Sequence, residues 1–244
     1  MNLQGKVAVV TGGAGSLGLA AVRALLEDEA RVALVDLDAL RLDTLSRFLR
    51  GERIVIAADV TDPAAVRAAH DRVRAELGPV DILVNAAGSS SGSLVEATDE
   101  AAWRRVIGAR ADGTFLWSRA VLPDMMARGW GRIVNLGSYG EPSAMRGTAD
   151  AAAAGAVASL TGALAREGAP RGVTVNAIAP AFVRSPGTTE FLTEAQRRQV
   201  LATIPAGRFG EPEEFAHAVR FFASPQAGFV TGAVLGLDGG LHLG

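Results

Sequence analysis

Lys6-Val-Ala-Val-Val-Thr-Gly-Gly-Ala-Gly-Ser-Leu-Gly18 is a β-branched apolar run that breaks into glycines and reopens with helical spacing. It reads as strand, phosphate-binding turn and helix. Gly13, Gly15 and Gly18 satisfy G-x-G-x-x-G, in which missing Cβ atoms permit a tight turn, close backbone approach to a pyrophosphate and tight helix–strand packing. The first turn of the helix then offers free N–H groups to an anion. A plain βα connector uses glycines too, so residues further along decide between the two readings.

Working outward, β-branched runs alternate with Ala/Leu/Arg segments of helical period, the pattern of βαβ units and a parallel sheet covered on both faces. Strands are expected near 6–11, 31–36, 53–58, 80–85, 131–137, 172–178 and 232–237. Helices are expected near 16–28, 39–50, 63–77, 99–128, 150–169 and 212–223. Right-handed crossovers make this a three-layer, doubly wound α/β sheet of about seven strands. With no break in composition, residues 1–244 read as one domain.

Charge and composition exclude several classes of function. A net charge of -2 provides no basic field for nucleic acid, and no run of Lys or Arg suggests a membrane surface. No segment reaches the ~20 apolar residues needed to span a bilayer, and no signal-type segment opens the chain, so the expected location is the cytoplasm. Cysteine is absent, which removes disulfides, thiol nucleophiles and thiolate metal sites. His70, His217 and His242 lack ligand spacing, and no metal is expected.

The second strand ends in Asp36, about the ~20 residues beyond the glycine loop at which a carboxylate accepts hydrogen bonds from an adenosine ribose. This favours NAD(H) over NADP(H), because a 2′-phosphate meets a like charge and Leu37 supplies no cation. The competing reading is that Asp36 caps the following helix.

With these residues in place the chain resembles a short-chain dehydrogenase/reductase. Thr11-Gly12, Asp59-Val60 after the third strand, Asn85-Ala86-Ala87-Gly88 after the fourth, Asn176-Ala-Ile-Ala-Pro180 after the sixth and Val230-Thr-Gly…Leu-Asp-Gly-Gly240 match family positions in order along essentially the whole chain. The resemblance implies a Rossmann fold. It also implies that Asp59 and Val60 contact adenine, that Asn85 to Gly88 line the crevice, and that Pro180, Ala181 and Val183 flank the nicotinamide. The family's loop reads T-G-x-x-x-G-x-G, so Thr11, Gly12, Gly13, Gly15, Ser16, Leu17 and Gly18 hold the dinucleotide. Ser16 replaces the middle glycine; its Cβ is expected to crowd the diphosphate and weaken binding, while its hydroxyl offers the diphosphate a hydrogen bond. Ala181 replaces the glycine usual after the proline.

The same resemblance implies a serine, a tyrosine, a lysine four residues later and a helix asparagine as catalytic groups. The phenol moves the proton, the lysine lowers its pKa and holds the ribose, and the serine polarises the substrate oxygen. Ser138 matches the serine. Registering the helices on the family places Asp150 at the tyrosine, Ala154 at the lysine and Arg110 at the asparagine. The chain contains one tyrosine, Tyr139, and one lysine, Lys6, so no Y-x-x-x-K exists under any alignment. Lys6 opens the first strand at the end away from the crevice, and Tyr139 alternates with Ser138, so it faces away if Ser138 faces the cofactor.

An aspartic acid needs a shift of ~3 units to be half protonated at neutral pH, and a neighbouring cation works against that. Arg110 is therefore expected to pair with Asp150 and hold it as an anion; the alternative is two solvated substitutions.

The leading expectation is an NAD(H)-binding, catalytically silent subunit of a homo- or hetero-oligomer, a dimer or tetramer built on the helices near 99–128 and 150–169, beside an active paralogue. The alternatives are a noncanonical NAD-dependent oxidoreductase in which water or substrate supplies the proton, and a proton-transfer, elimination or cyclisation enzyme using Ser138, Asp150 and Arg110. A sensor of NAD(H) occupancy is a third. Residues 184–208 occupy the place of the family's substrate lid.

Overall fold

The computed structural model describes residues 2–137, 147–185, 189–190 and 192–243. The expected alternation is realised as β1 (Val7–Thr11), α1 (Ser16–Glu27), β2 (Arg31–Asp36), α2 (Ala39–Ser46), β3 (Arg53–Ala57), α3 (Pro63–Glu76) and β4 (Ile82–Asn85). The second half follows as α4 (Glu100–Ile107), α5 (Gly113–Arg128), β5 (Gly131–Leu136), α6 (Thr148–Gly168), β6 (Val173–Pro180), α7 (Glu194–Thr203), α8 (Pro212–Ala223) and β7 (Val234–Leu237). The strands form one seven-stranded parallel sheet in the order β3-β2-β1-β4-β5-β6-β7. This is the doubly wound Rossmann architecture, with the order reversing between β1 and β4.

Alternation along each strand divides the core in two. Val7 and Val9 of β1 and Ala33 and Val35 of β2 face a core closed by Val66 and Val73 of α3 and by Trp117, Val121 and Met125 of α5. Ala8, Val10, Val32 and Leu34 face the opposite core, closed by Val22 and Leu25 of α1 and by Phe215, Val219 and Phe222 of α8. Because successive side chains point to opposite faces, strands apolar at every position demand cover on both sides, and helices supply it.

The structure differs from the expected elements in three places. The helix expected over 99–128 is interrupted by a π-helical turn, Gly108–Asp112, between α4 and α5. The helix expected over 39–50 ends at Ser46, whose carbonyl accepts from the Arg53 guanidinium at 3.0 Å. Finally, 184–208 holds a helix of its own, α7, started by a capping box between Thr193 and Gln196. It sits on a small satellite core of Val200, Ile204 and Phe209 against Phe182.

Candidate active site

The crevice begins where β1 breaks. Gly12 adopts φ +65, and a Cβ there would lie 2.6 Å from the Ala86 carbonyl oxygen; a Cβ on Gly18 would lie 2.1 Å from the Gly12 oxygen. Only glycine lets β1, the β4 loop and the start of α1 approach this closely. Thr11 secures the same junction by accepting from the Ala87 N–H at 3.2 Å. Gly15 caps α1 without a side-chain hydrogen bond, whereas Asp38, Asp62, Asp99 and Thr193 cap α2, α3, α4 and α7 with theirs. The first turn of α1 thus receives no side-chain cap, which suits an external acceptor.

A cavity of about 700 Å³ opens beyond the carboxyl ends of the strands. Gly12, Ala14 and Gly15 line it from β1, Asp36 and Leu37 from β2, Asp59 and Val60 from the β3 loop, and Ala86, Ala87 and Gly88 from the β4 loop. Its size and position at the reversal of strand order suit a nucleotide. The Asp36 carboxylate accepts from the Ala14 N–H at 3.0 Å and from the Asp38 N–H at 3.2 Å, which fixes it at the cavity wall. The cap of α2 is Asp38, accepting from the Arg41 N–H at 2.9 Å, so the helix-cap reading of Asp36 is set aside. Asp59 also ties its own turn, accepting from the Thr61 N–H and hydroxyl at 2.8 and 2.7 Å. Asn85 lies behind the wall, donating to Asn135 Oδ1 at 2.9 Å, and Asn135 donates to Thr161 Oγ1 of α6 at 2.9 Å. Sequence reading missed Asn135, Thr161 and Arg41, the last of which also lines the cavity. Pro180 ends β6, and Ala181 and Val183 follow it, with Val183 bridged to Gly210.

The π-helical turn sets the place of Arg110. Gly108 and Gly113 bracket it: a Cβ on Gly113 would lie 2.8 Å from Val60 Cγ2, and one on Gly108 would lie 3.3 Å from Thr61 Cγ2. The helix therefore rests directly on the β3 loop. Arg110 lies against Gly88, whose Cβ would come within 3.2 Å of its side chain, and its Nε donates to the Ser89 carbonyl at 3.1 Å. Its Nη2 lies 3.5 Å from Asp150 Oδ1, so the structure brings Arg110 and Asp150 together as a buried ion pair.

Asp150 is 2% exposed. Its Oδ2 accepts from the Ser91 N–H at 3.1 Å, the Ser91 hydroxyl at 3.3 Å and the Gly92 N–H at 3.3 Å. Burial pushes the carboxyl up, but hydrogen bonding from Ser90, Ser91 and Gly92 and the charge of Arg110 outweigh it and hold Asp150 below the usual range. It is an anion at neutral pH. Burial lowers the basicity of Arg110 and Asp150 opposes that, but a guanidinium stays protonated in any case.

Ser138 and Tyr139 lie outside the described residues. Lys6 stands at the far end of the sheet, 3.8 Å from Asp81 and with its ammonium 3.7 Å from the centre of the Trp130 ring. Among the described residues no group of three or more His, Asp or Glu side chains is placed to hold a metal ion, and no helix is long and apolar enough to cross a membrane.

A family model described as Enoyl-(Acyl carrier protein) reductase matches residues 12–242. The chain is 39% identical to a 3-oxoacyl-[acyl-carrier-protein] reductase of Vibrio cholerae, over 100% of both chains. It is 43% identical to a galactitol 2-dehydrogenase (L-tagatose-forming) of Cereibacter sphaeroides, covering 98% of this chain and 96% of that one. The crystal structure of gox2181 superposes with a TM-score of 0.92 at 33% identity, covering 100% of this chain and 98% of that one. Relatives of full length that bear the names of working oxidoreductases overturn the expectation of a catalytically silent subunit, and with it the idea of a pseudoenzyme. That expectation equated loss of the phenol–ammonium pair with loss of chemistry. Hydride transfer belongs to the cofactor, however, and the protein's share is binding, orientation and electrostatics.

Proposed function

The chain belongs to the short-chain dehydrogenase/reductase family, and from that premise we propose that it is a nicotinamide-dependent oxidoreductase interconverting a secondary alcohol and a ketone without a tyrosine–lysine proton relay. The observation that carries this is an intact dinucleotide crevice in a chain whose full-length relatives are named as a 3-oxoacyl reductase and a polyol dehydrogenase. When bound, the nicotinamide supplies or accepts the hydride at the carbonyl carbon.

The chain's own residues would hold that cofactor and manage the charge. The loop from Thr11 to Gly18, with the open first turn of α1, takes the diphosphate, and Ser16→Gly is expected to tighten binding. Asp59, Val60 and Ala86 to Gly88 take the adenosine side and the crevice wall, with Asn85 supporting that wall from behind, while Pro180, Ala181 and Val183 take the nicotinamide side. NAD(H) is preferred over NADP(H), because a 2′-phosphate at the end of β2 meets the carboxylates of Asp36 and Asp38, with Arg41 the guanidinium that follows them on α2.

Arg110 and the Ser138 hydroxyl donate to the substrate oxygen. As hydride reaches the carbon, the π pair moves onto that oxygen, where a guanidinium stabilises the developing alkoxide. Arg110 cannot release a proton, so the alkoxide takes its proton from water. Residues 184–208 close over the substrate. Copies associate as dimers or tetramers through α4, α5 and α6, in the cytoplasm.

The test is turnover of NADH and NADPH by the purified chain with a panel of ketoses, simple ketones and 3-oxoacyl thioesters. Turnover is expected to fall about 10²- to 10³-fold in Arg110→Met, the scale of losing one oxyanion donor. Absence of cofactor-dependent turnover across the panel, or turnover indifferent to both Arg110→Met and Ser138→Ala, overturns the reading.

A further inference from the structure

We propose that Asp150 is a positioning residue: its carboxylate fastens the β4 loop, Ser89 to Ser93, and the Arg110 guanidinium into one unit that fixes the crevice wall. The inference rests on the oxidoreductase reading for its consequence, though the fastening itself does not.

Three observations converge. Asp150 Oδ2 accepts three hydrogen bonds from two successive loop residues, Ser91 and Gly92, and Oδ1 faces Arg110. A carboxylate offers only about four acceptor positions, and most of these are already turned to the loop and to Arg110. The ring then closes through Arg110, whose Nε donates to the carbonyl of Ser89, the residue that begins the same loop. A separate backbone tie joins the same two elements: the Thr148 N–H at the start of α6 donates to the Ser93 carbonyl at 3.0 Å, and a Cβ on Gly147 would lie 2.6 Å from Ser93 N. Helix α6 and the loop are thus held by a side chain and by the main chain at once.

The loop matters because Gly88 and Ser89 form part of the dinucleotide cavity and Arg110 lies against Gly88. Freeing the loop frees that wall. A carboxylate at this place gives firm attachment between a helix and a loop, and at 2% exposure it does so out of competition with water.

The experiment compares Asp150→Ala with Asp150→Asn in the whole chain. Amide hydrogen exchange at Ser91 and Gly92, taken relative to amides of β5 in the dinucleotide-free protein, is expected to speed up at least about tenfold in Asp150→Ala and to return most of the way in Asp150→Asn, whose amide oxygen still accepts. NADH affinity by calorimetry is expected to follow the same order. Unchanged protection in Asp150→Ala, or Asp150→Asn as exchange-labile as Asp150→Ala, overturns the proposal. If NADH fails to bind even the parent chain, the oxidoreductase reading fails, while amide exchange still decides the fastening.

Discussion

A methyl group on Gly18 would sit 2.1 Å from the Gly12 oxygen, far inside contact distance, so backbone rather than a flexible side chain has to move. Gly18→Ala is therefore expected to cost about 3 kcal/mol or more and to abolish dinucleotide binding, measured by urea unfolding and by calorimetry. Asp150 gives a prediction in pH. Its native pKa lies below the ordinary 3.8, so its contribution to stability is complete above that value and is lost as pH falls through the depressed native one. Asp150→Asn leaves Arg110 uncompensated and is expected to destabilise by about 3 kcal/mol at neutral pH. Unfolding curves taken at falling pH are expected to show that gap closing below the ordinary carboxyl value; a gap constant with pH contradicts the ion pair. The glycines and Asp36 were legible in the sequence because their constraint is local, a strand, a turn and a helix within one βα unit. The partners of Asp150 were not, because Ser91 and Gly92 lie 59 and 58 residues away and only the fold brings them to α6.

At the scale of elements, strand alternation and helical period gave all seven strands and most helices, because a doubly covered sheet imposes apolar runs that little else explains. The π-helical turn was invisible for the opposite reason: residues 99–128 keep a helical pattern throughout, and the bulge is set by contact with Val60 and Thr61. Gly113→Val is expected to push α5 off Val60, 2.8 Å from the added Cβ, and so displace both the cavity wall and Arg110. Circular dichroism is expected to keep its helical signal while NADH affinity falls about tenfold or more. Retained affinity contradicts the idea that the turn sets the site. Helix α7 did have a signal, Thr193-Glu-Ala-Gln196, but it was overlooked inside a polar stretch assigned to a lid.

For the whole molecule, two cores on one parallel sheet leave the crevice at its carboxyl edge as the place where binding reports on folding. A dinucleotide at a hundred times its dissociation constant stabilises the native state by about 2.7 kcal/mol. For a domain of this length that is expected to raise Tm by about 5–11 °C in a calorimetric scan. The larger rise is expected for NADH, and a larger rise with NADPH contradicts the role given to Asp36. The missing tyrosine and lysine were plain in the sequence, yet they did not license the step from absent side chains to absent chemistry. In the proposed reaction, groups that take the place of a proton relay need only stabilise charge, and such groups carry no motif. The most direct measurement is transfer of label: NADH deuterated at the transferring C4 position, turned over with the carbonyl panel, and the alcohol products weighed by mass spectrometry. The account predicts deuterium at the carbinol carbon of at least one product, diminished in Arg110→Met. Saturable NADH binding with no labelled product from any substrate contradicts it.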